Sequence, residues 1–127
     1  MELYSVLLEW EKNLAMVNYI TKGSNPYTEH YSAIKADVPD SADDSTQINT
    51  KLITKLLEAD KIVIAGEASS HCVANTVRDI ANEFGDDSLV KKLVYLENCC
   101  SSVPGFEQFE TDFITEMKDR GMQIIVH

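Results

Sequence analysis

Basic residues are scarce: 11 Lys and Arg stand against 21 Asp and Glu in 127 residues, a formal net charge of −10. Affinity for nucleic acid rests on basic patches that neutralise phosphates, so no nucleic-acid partner is expected. Long apolar runs are also missing. Nothing approaches the roughly 18 to 20 consecutive apolar residues that span a bilayer. The stretch from Met1 to Asn13 carries Glu2, Glu9 and Glu11 in an amphipathic pattern, not a basic region followed by an apolar one. Neither a membrane segment nor a secretory leader is expected. The cysteines are few, Cys72, Cys99 and Cys100, an odd set with no C-x-x-C pair placed with histidines for zinc. A reducing cytoplasm fits this usage, and no metal or other cofactor is identifiable from it.

What remains is ordinary: 44% hydrophobic and 25% charged residues make one globular domain, not a disordered or fibrous chain. A chain of this size removes roughly 65–70% of its unfolded surface from water, enough for one core. Leu3, Leu7, Trp10 and Leu14 recur at helical spacing and predict a helix over residues 1–15. Met16 to Ile20 reads as a short strand that ends at Lys22-Gly23-Ser24-Asn25-Pro26, where Gly and Asn-Pro are turn chemistry. Tyr27 to Thr46 has no period and reads as a long acidic loop. Asp44 with Gln47 resembles a capping box ahead of the stripe Ile48, Leu52, Ile53, Leu56 and Leu57.

Ile62-Val63-Ile64-Ala65-Gly66 has no polar alternation, which predicts a central strand covered on both faces. A tight turn and a helix carrying Val73, Val77, Ile80, Ala81 and Phe84 follow, with Ser69 or Ser70 at the capping position and Gly85 at the end. Leu93 to Leu96 is a third strand, Phe106 to Met117 a helix closed by Gly121, and Gln123 to Val126 a last strand. Strands alternating with helices predict an α/β fold with a parallel sheet, in which ligands bind at the carboxyl ends of strands. Lys22, the turn from Glu67 to Cys72, and the segment from Glu97 to Gly105 all fall at that edge.

Cys72 stands in the first turn of a helix, where unpaired N–H groups and the helix dipole favour a thiolate, the nucleophilic form. A buried structural cysteine is the competing reading. Lys22 near such a thiolate would form an ion pair with it; alone, it is a solvated loop lysine. His71 adjoins Cys72, but neighbouring residues of a helical turn point apart, so it is not assigned as the base. Glu67 lies between strand and nucleophile turn, either lining a pocket or forming a structural hydrogen bond. The acidic run from Asp37 to Asp44 lacks the spacing of a calcium loop and reads as a solvated face. Cys99 and Cys100 receive no role.

Together these segments carry a family resemblance. Ile64-Ala65-Gly66-Glu67-Ala68-Ser69-Ser70-His71-Cys72-Val73-Ala74-Asn75-Thr76-Val77-Arg78-Asp79 resembles the nucleophile segment of the isochorismatase-like cysteine hydrolases, the superfamily that contains the nicotinamidases. Its form is an apolar strand, Gly-x-Ala-x-x-x-Cys-Val, then x-x-Thr and an acidic residue. Lys22-Gly23 followed by Tyr31-Ser32-Ala33 resembles the family's lysine segment.

The resemblance implies a Cys-Lys-Asp hydrolase of a small amide, working through an acyl-enzyme on the thiol. Cys72 would be the nucleophile and Lys22 the triad lysine. The backbone N–H groups of Cys72 and Ala68 would hold the oxyanion, with a cis peptide between Glu67 and Ala68, and Glu67, Tyr31 and His71 would contact substrate. The implied fold is a Rossmann-like three-layer one, a parallel sheet with helices on both faces.

Departures from the family pattern carry expectations of their own. The family's first two strands, with the triad Asp and any metal site, have no counterpart, and Glu97-Asn98 stands where relatives often carry Asp-Ala. By the family strand order 3-2-1-4-5-6, the chain would supply strands three to six of a single, incomplete domain, with a gap of about 10 Å between the lysine strand and the cysteine strand. Such a chain is expected to lack its general base and to be a homo-oligomer or completed by another chain. The competing reading is a catalytically inert α/β binding or assembly module.

Overall fold

The computed structural model describes residues 3–12 and 16–126. Its centre is built from the three apolar runs of the C-terminal half. Ile62–Glu67 (β1) pairs parallel with Leu93–Ser101 (β2), and β2 pairs parallel with Gln123–Ile125 (β3), in the order β1-β2-β3. The register sets Ile62 beside Leu93, Ile64 beside Tyr95, and Tyr95 beside Ile124, so these side chains share one face.

Parallel neighbours need crossover connections, and helices supply them. Cys72–Phe84 (α3) joins β1 to β2 and Glu107–Arg120 (α4) joins β2 to β3. Val77, Ile80 and Phe84 of α3 and Phe113 and Met117 of α4 lie at helical spacing and close on Leu93, Tyr95 and the rest of the core. Tyr95 and Phe113 meet edge to face with ring centroids 5.7 Å apart. At the end of α4, Gly121 takes a φ of 117°, which lets Met122 N–H turn back to the Met117 carbonyl at 2.9 Å.

Thr50–Glu58 (α2) starts later than the capping box suggests. Asn49 is its cap, its Oδ1 accepting from Leu52 N–H at 3.1 Å, while Asp43 caps a separate single turn over Asp44–Thr46. An Asx side chain immediately before the first turn outcompetes one several residues upstream. The aperiodic stretch before it is tied down by distant partners. Ala36 N–H donates to Thr46 O at 3.0 Å, Asn49 N–H donates to Ile34 O at 2.8 Å, and the Ile34 side chain enters the core. A short turn over Asp87–Lys92, not expected from the sequence, seats Val90 in the same core.

The N-terminal expectations need correction. Leu3–Lys12 (α1) is helical, but it buries no residue: Leu3 is 73% and Trp10 55% exposed. Leu14 and the extension to residue 15 lie outside the described residues. The strand expected over Met16–Ile20 does not form, and Met16, Tyr19 and Ile20 are exposed. A strand exists only by pairing, and among the described residues β1 pairs with β2 alone. The expected gap inside the sheet therefore disappears, since β1, β2 and β3 are consecutive neighbours. Among the described residues β1 is an edge strand of the sheet, where the sequence predicts a central one, with alternating burial and Val63 57% exposed. No helix among the described residues is long and apolar enough to cross a membrane.

Candidate active site

The carboxyl end of β1 runs into a turn that opens α3 at Cys72. The Ala68 carbonyl accepts from His71 N–H and Val73 N–H, both at 3.0 Å, and Ser69 N–H donates to Ser101 O of β2 at 2.8 Å. The serines do not cap the helix as expected. His71 occupies the cap position without a side-chain bond, because the Ser70 hydroxyl is engaged by Val103 N–H at 3.0 Å and by His71 Nδ1 at 2.9 Å. The buried Ser69 hydroxyl has no partner among the described residues. The Glu67–Ala68 peptide bond is cis.

Of the N–H groups in this turn, those of Ser69, His71 and Val73 are paired, and those of Ala68, Ser70 and Cys72 have no partner among the described residues. Unpaired donors at a helix N-terminus favour an anion.

Lys22 reaches this turn from a segment far upstream. Its ammonium donates to the carbonyls of Tyr31 at 2.7 Å and His30 at 3.2 Å, which fold the chain between them into a loop. That loop is fastened to α3 where Ala33 N–H donates to Thr76 Oγ1 at 3.0 Å. Asn25 steadies its far side, donating from Nδ2 to Asp43 Oδ2 at 2.9 Å. Two groups of one neighbour, the hydroxyl and then the backbone N–H of Ser45, hold the Asp43 carboxyl below the usual range.

Lys22, Glu67 and Cys72 line one cavity of about 260 Å³. Ala33 and Thr76 form its side, and Ile64, Val77 and Ile80 give it an apolar floor. Cys72 is a free, half-buried thiol. Ser101 Oγ donates to Glu67 Oε1 at 2.8 Å, fixing the carboxylate from the neighbouring strand.

Two expected site residues lie elsewhere. The His71 ring packs 5.0 Å from Phe106 and 5.7 Å from both Phe109 and Tyr31, centroid to centroid. It lines a second cavity of about 340 Å³ with Asn75, Arg78 and Asp112. Tyr31 takes part in the first site through its carbonyl. Cys99 is exposed and Cys100 sits opposite Gly66 on β2. Below the turn, the fully buried Tyr95 hydroxyl donates to Glu110 Oε2 at 3.1 Å, and burial, with Cys100 next, pushes its pKa above the usual tyrosine value.

Thr76, as anchor of the lysine loop, and Ser101, as partner of Glu67, escaped the sequence reading. Thr76 had left a signal, the threonine of the nucleophile segment. No group of three or more His, Cys, Asp or Glu among the described residues could hold a metal ion, so the residues present do not fit one.

No family model matches the sequence, and no curated protein matches it. Solved structures do. The yeast nicotinamidase Pnc1p superposes with a TM-score of 0.67 at 16% identity, covering 98% of this chain and 52% of its own. The pyrazinamidase of Pyrococcus horikoshii, solved in complex with zinc, gives a TM-score of 0.58 at 22% identity over 85% of this chain and 50% of its own. An Acinetobacter baumanii nicotinamidase gives 0.53 at 20% identity over 78% and 42%. At these identities the likeness is one of fold: three parallel strands with their helices match the nicotinamidase-like fold. The chain spans about half the length of the yeast and Pyrococcus proteins.

Proposed function

We propose that this chain belongs to a cysteine hydrolase of the isochorismatase and nicotinamidase type, which cleaves the C–N bond of a small amide. The observation that carries the reading is that Cys72 and Lys22, remote in sequence, line one cavity at a turn whose Ala68 and Cys72 N–H groups are among those without partners among the described residues.

In this reading the Cys72 thiolate attacks the amide carbonyl carbon, forming a C–S bond. The oxyanion that develops is received by the N–H groups of Ala68 and Cys72; such donors are each worth a few kcal/mol in the transition state. The C–N bond breaks as nitrogen takes a proton and leaves as ammonia. Water then cleaves the thioester, releasing a carboxylate and restoring the thiol. The Lys22 ammonium, held by two carbonyls, faces the anionic sulfur. Glu67 contacts the substrate from the mouth, Tyr31 acts through the carbonyl that holds the lysine, and His71 lines the neighbouring cavity. A cavity of about 260 Å³ with an Ile64, Val77 and Ile80 floor suits a small, flat, mostly apolar amide such as nicotinamide.

Ammonia release from nicotinamide and related amides tests this reading. Cys72→Ala is expected to abolish release, and wild-type rates in that variant overturn the assignment. Three free cysteines suit a cytoplasmic setting.

The exposed edge of β1 favours a second reading, an assembly module that keeps the scaffold without the chemistry. In either reading the chain works as a homo-oligomer or is completed by another chain at that edge, and a purely monomeric species in sedimentation contradicts this.

A further inference from the structure

We propose that the cavity of about 340 Å³ between the N-terminal halves of α3 and α4 binds a small zwitterion, a molecule that carries a carboxylate and an ammonium on a flat apolar body, as a free aromatic amino acid does. Its volume lies at the low end of ligand cavities and suits a molecule of that size. It shares no lining residue with the cavity of Cys72 or with β1, so the inference goes beyond the hydrolase reading and does not rest on it.

Helical spacing assembles the site. His71 at the cap of α3, Asn75 four residues on and Arg78 three beyond it share one face, and Phe109 and Asp112, three apart on α4, stand opposite. Each polar side chain is held at one end and free at the other. Arg78 Nε donates to Glu116 Oε2 at 2.7 Å and its guanidinium carbon lies 5.5 Å from the Phe113 ring centroid, which leaves Nη1 and Nη2 without partners among the described residues. Asp112 Oδ1 accepts from Gln108 Nε2 at 2.8 Å, and Asn75 Nδ2 donates to the His71 carbonyl at 3.0 Å. Asp112 Oδ2 and Asn75 Oδ1 have no partner among the described residues. The buried Ser70 hydroxyl accepts from Val103 N–H and has its own proton to place. His71 Nδ1, 2.9 Å away, takes it, and the ring proton then sits on Nε2 as a further donor.

Charge selects the ligand. Arg78 and Asp112 line one cavity yet form no ion pair with each other. A lone anion there meets the carboxylates of Asp112 and Glu116 in a chain of net charge −10, and a lone cation meets the guanidinium. A molecule with both charges answers both. Its carboxylate takes the Nη edge of Arg78 and His71 Nε2–H, its ammonium takes Asp112 Oδ2 and Asn75 Oδ1, and its flat body lies on Phe109, which is 50% exposed.

Isothermal titration of the full chain with phenylalanine, phenylpropanoate and phenethylamine tests this. Phenylpropanoate lacks the ammonium and phenethylamine the carboxylate, and each is expected to bind at least about tenfold more weakly than phenylalanine, because charge-assisted hydrogen bonds are lost. Asp112→Asn, at an exposed position, should lower phenylalanine affinity to within about threefold of phenylpropanoate, and Arg78→Gln should lower it to within about threefold of phenethylamine. Lys22→Gln, in the other cavity, should leave phenylalanine binding as in wild type. Variants of Arg78 and Asp112 that weaken all three ligands alike, and so keep the wild-type discrimination, overturn the proposal. So do three ligands of equal affinity, phenylalanine that fails to bind at about 10 mM, and loss of phenylalanine binding in Lys22→Gln. Ammonia release from small amides is read separately, and its absence leaves this proposal standing.

Discussion

Replacing Thr76 with Val keeps the side chain's shape and removes the oxygen that accepts Ala33 N–H at 3.0 Å. Both residues are half-buried, so water reaches the orphaned N–H only in part. A fully buried unpaired donor costs about 1–3 kcal/mol, and partial exposure places this one at the lower end, about 1–1.5 kcal/mol. For a domain of this size, that lowers Tm by about 3–6 °C. The effect on chemistry follows from the loop, since Ala33 lies just beyond Tyr31, whose carbonyl holds the Lys22 ammonium at 2.7 Å. An unfastened loop lets Lys22 shift within the cavity it shares with Cys72, and in the proposed reaction a loss of about 1.4 kcal/mol at the transition state is tenfold in rate.

Thermal unfolding followed by circular dichroism and iodoacetamide labelling of Cys72 read the two effects. Thr76→Ser, which keeps the oxygen and loses a methyl, should retain wild-type labelling. A Val variant that melts within about 1 °C of wild type and labels normally would refute the anchoring argument, because an orphaned donor cannot be that cheap. So would a Ser variant as damaged as the Val one.

Two pH-linked predictions follow from other groups. Burial raises the Tyr95 pKa above its ordinary 10.0, so the folded state keeps the phenol neutral. The stability it contributes is intact below that value and is lost as pH rises, when the unfolded chain ionises and the folded one resists. Urea melts should steepen in their pH dependence by about 1.4 kcal/mol per unit above about pH 10 relative to Tyr95→Phe; identical slopes in the two proteins contradict the burial argument. The Asp43 carboxyl is depressed below 3.8, with the Ser45 hydroxyl the first cause. Its contribution is present above that value and lost as pH falls. Ser45→Ala should therefore move the Asp43 titration up towards 3.8 by carboxyl-carbon NMR, and an unmoved titration removes Ser45 as the cause.

Elements whose information is local were legible. The Val77, Ile80 and Phe84 stripe with Gly85 behind it marks α3 and its end, and the Phe113 and Met117 stripe with Gly121 marks α4. Elements whose existence depends on a partner were not. Met16 to Ile20 has the composition of a strand, but composition does not supply an edge to pair with. The stretch from Tyr27 to Thr46 has no period because its order comes from single distant bonds, Asn49 to Ile34 and Ala33 to Thr76, that no pattern announces. The site divided along the same line. Cys72 and Lys22 could be named from motif order, whereas Lys22 is held by main-chain carbonyls, which any residues could present. The link between Ser101 and Glu67 exists only through the register of β1 on β2.

The largest disagreement between sequence and structure lies on β1 and has one physical content. Its unbroken apolar run is the composition of a strand buried on both faces, yet Val63 is 57% exposed and one edge of the strand pairs with nothing among the described residues. Most apolar side chains of α1, and Met16 and Tyr19, are exposed as well. Apolar side chains at about 25 cal/mol per Å² are stabilising only when covered, and an open parallel edge leaves N–H and C=O groups to water. The same edge borders the cavity, since Ile64, Ala65 and Glu67 belong to both. Whatever covers β1 in the proposed oligomer or complex thereby closes the wall of the site. Burial of the strand and exclusion of water from Cys72 become a single event.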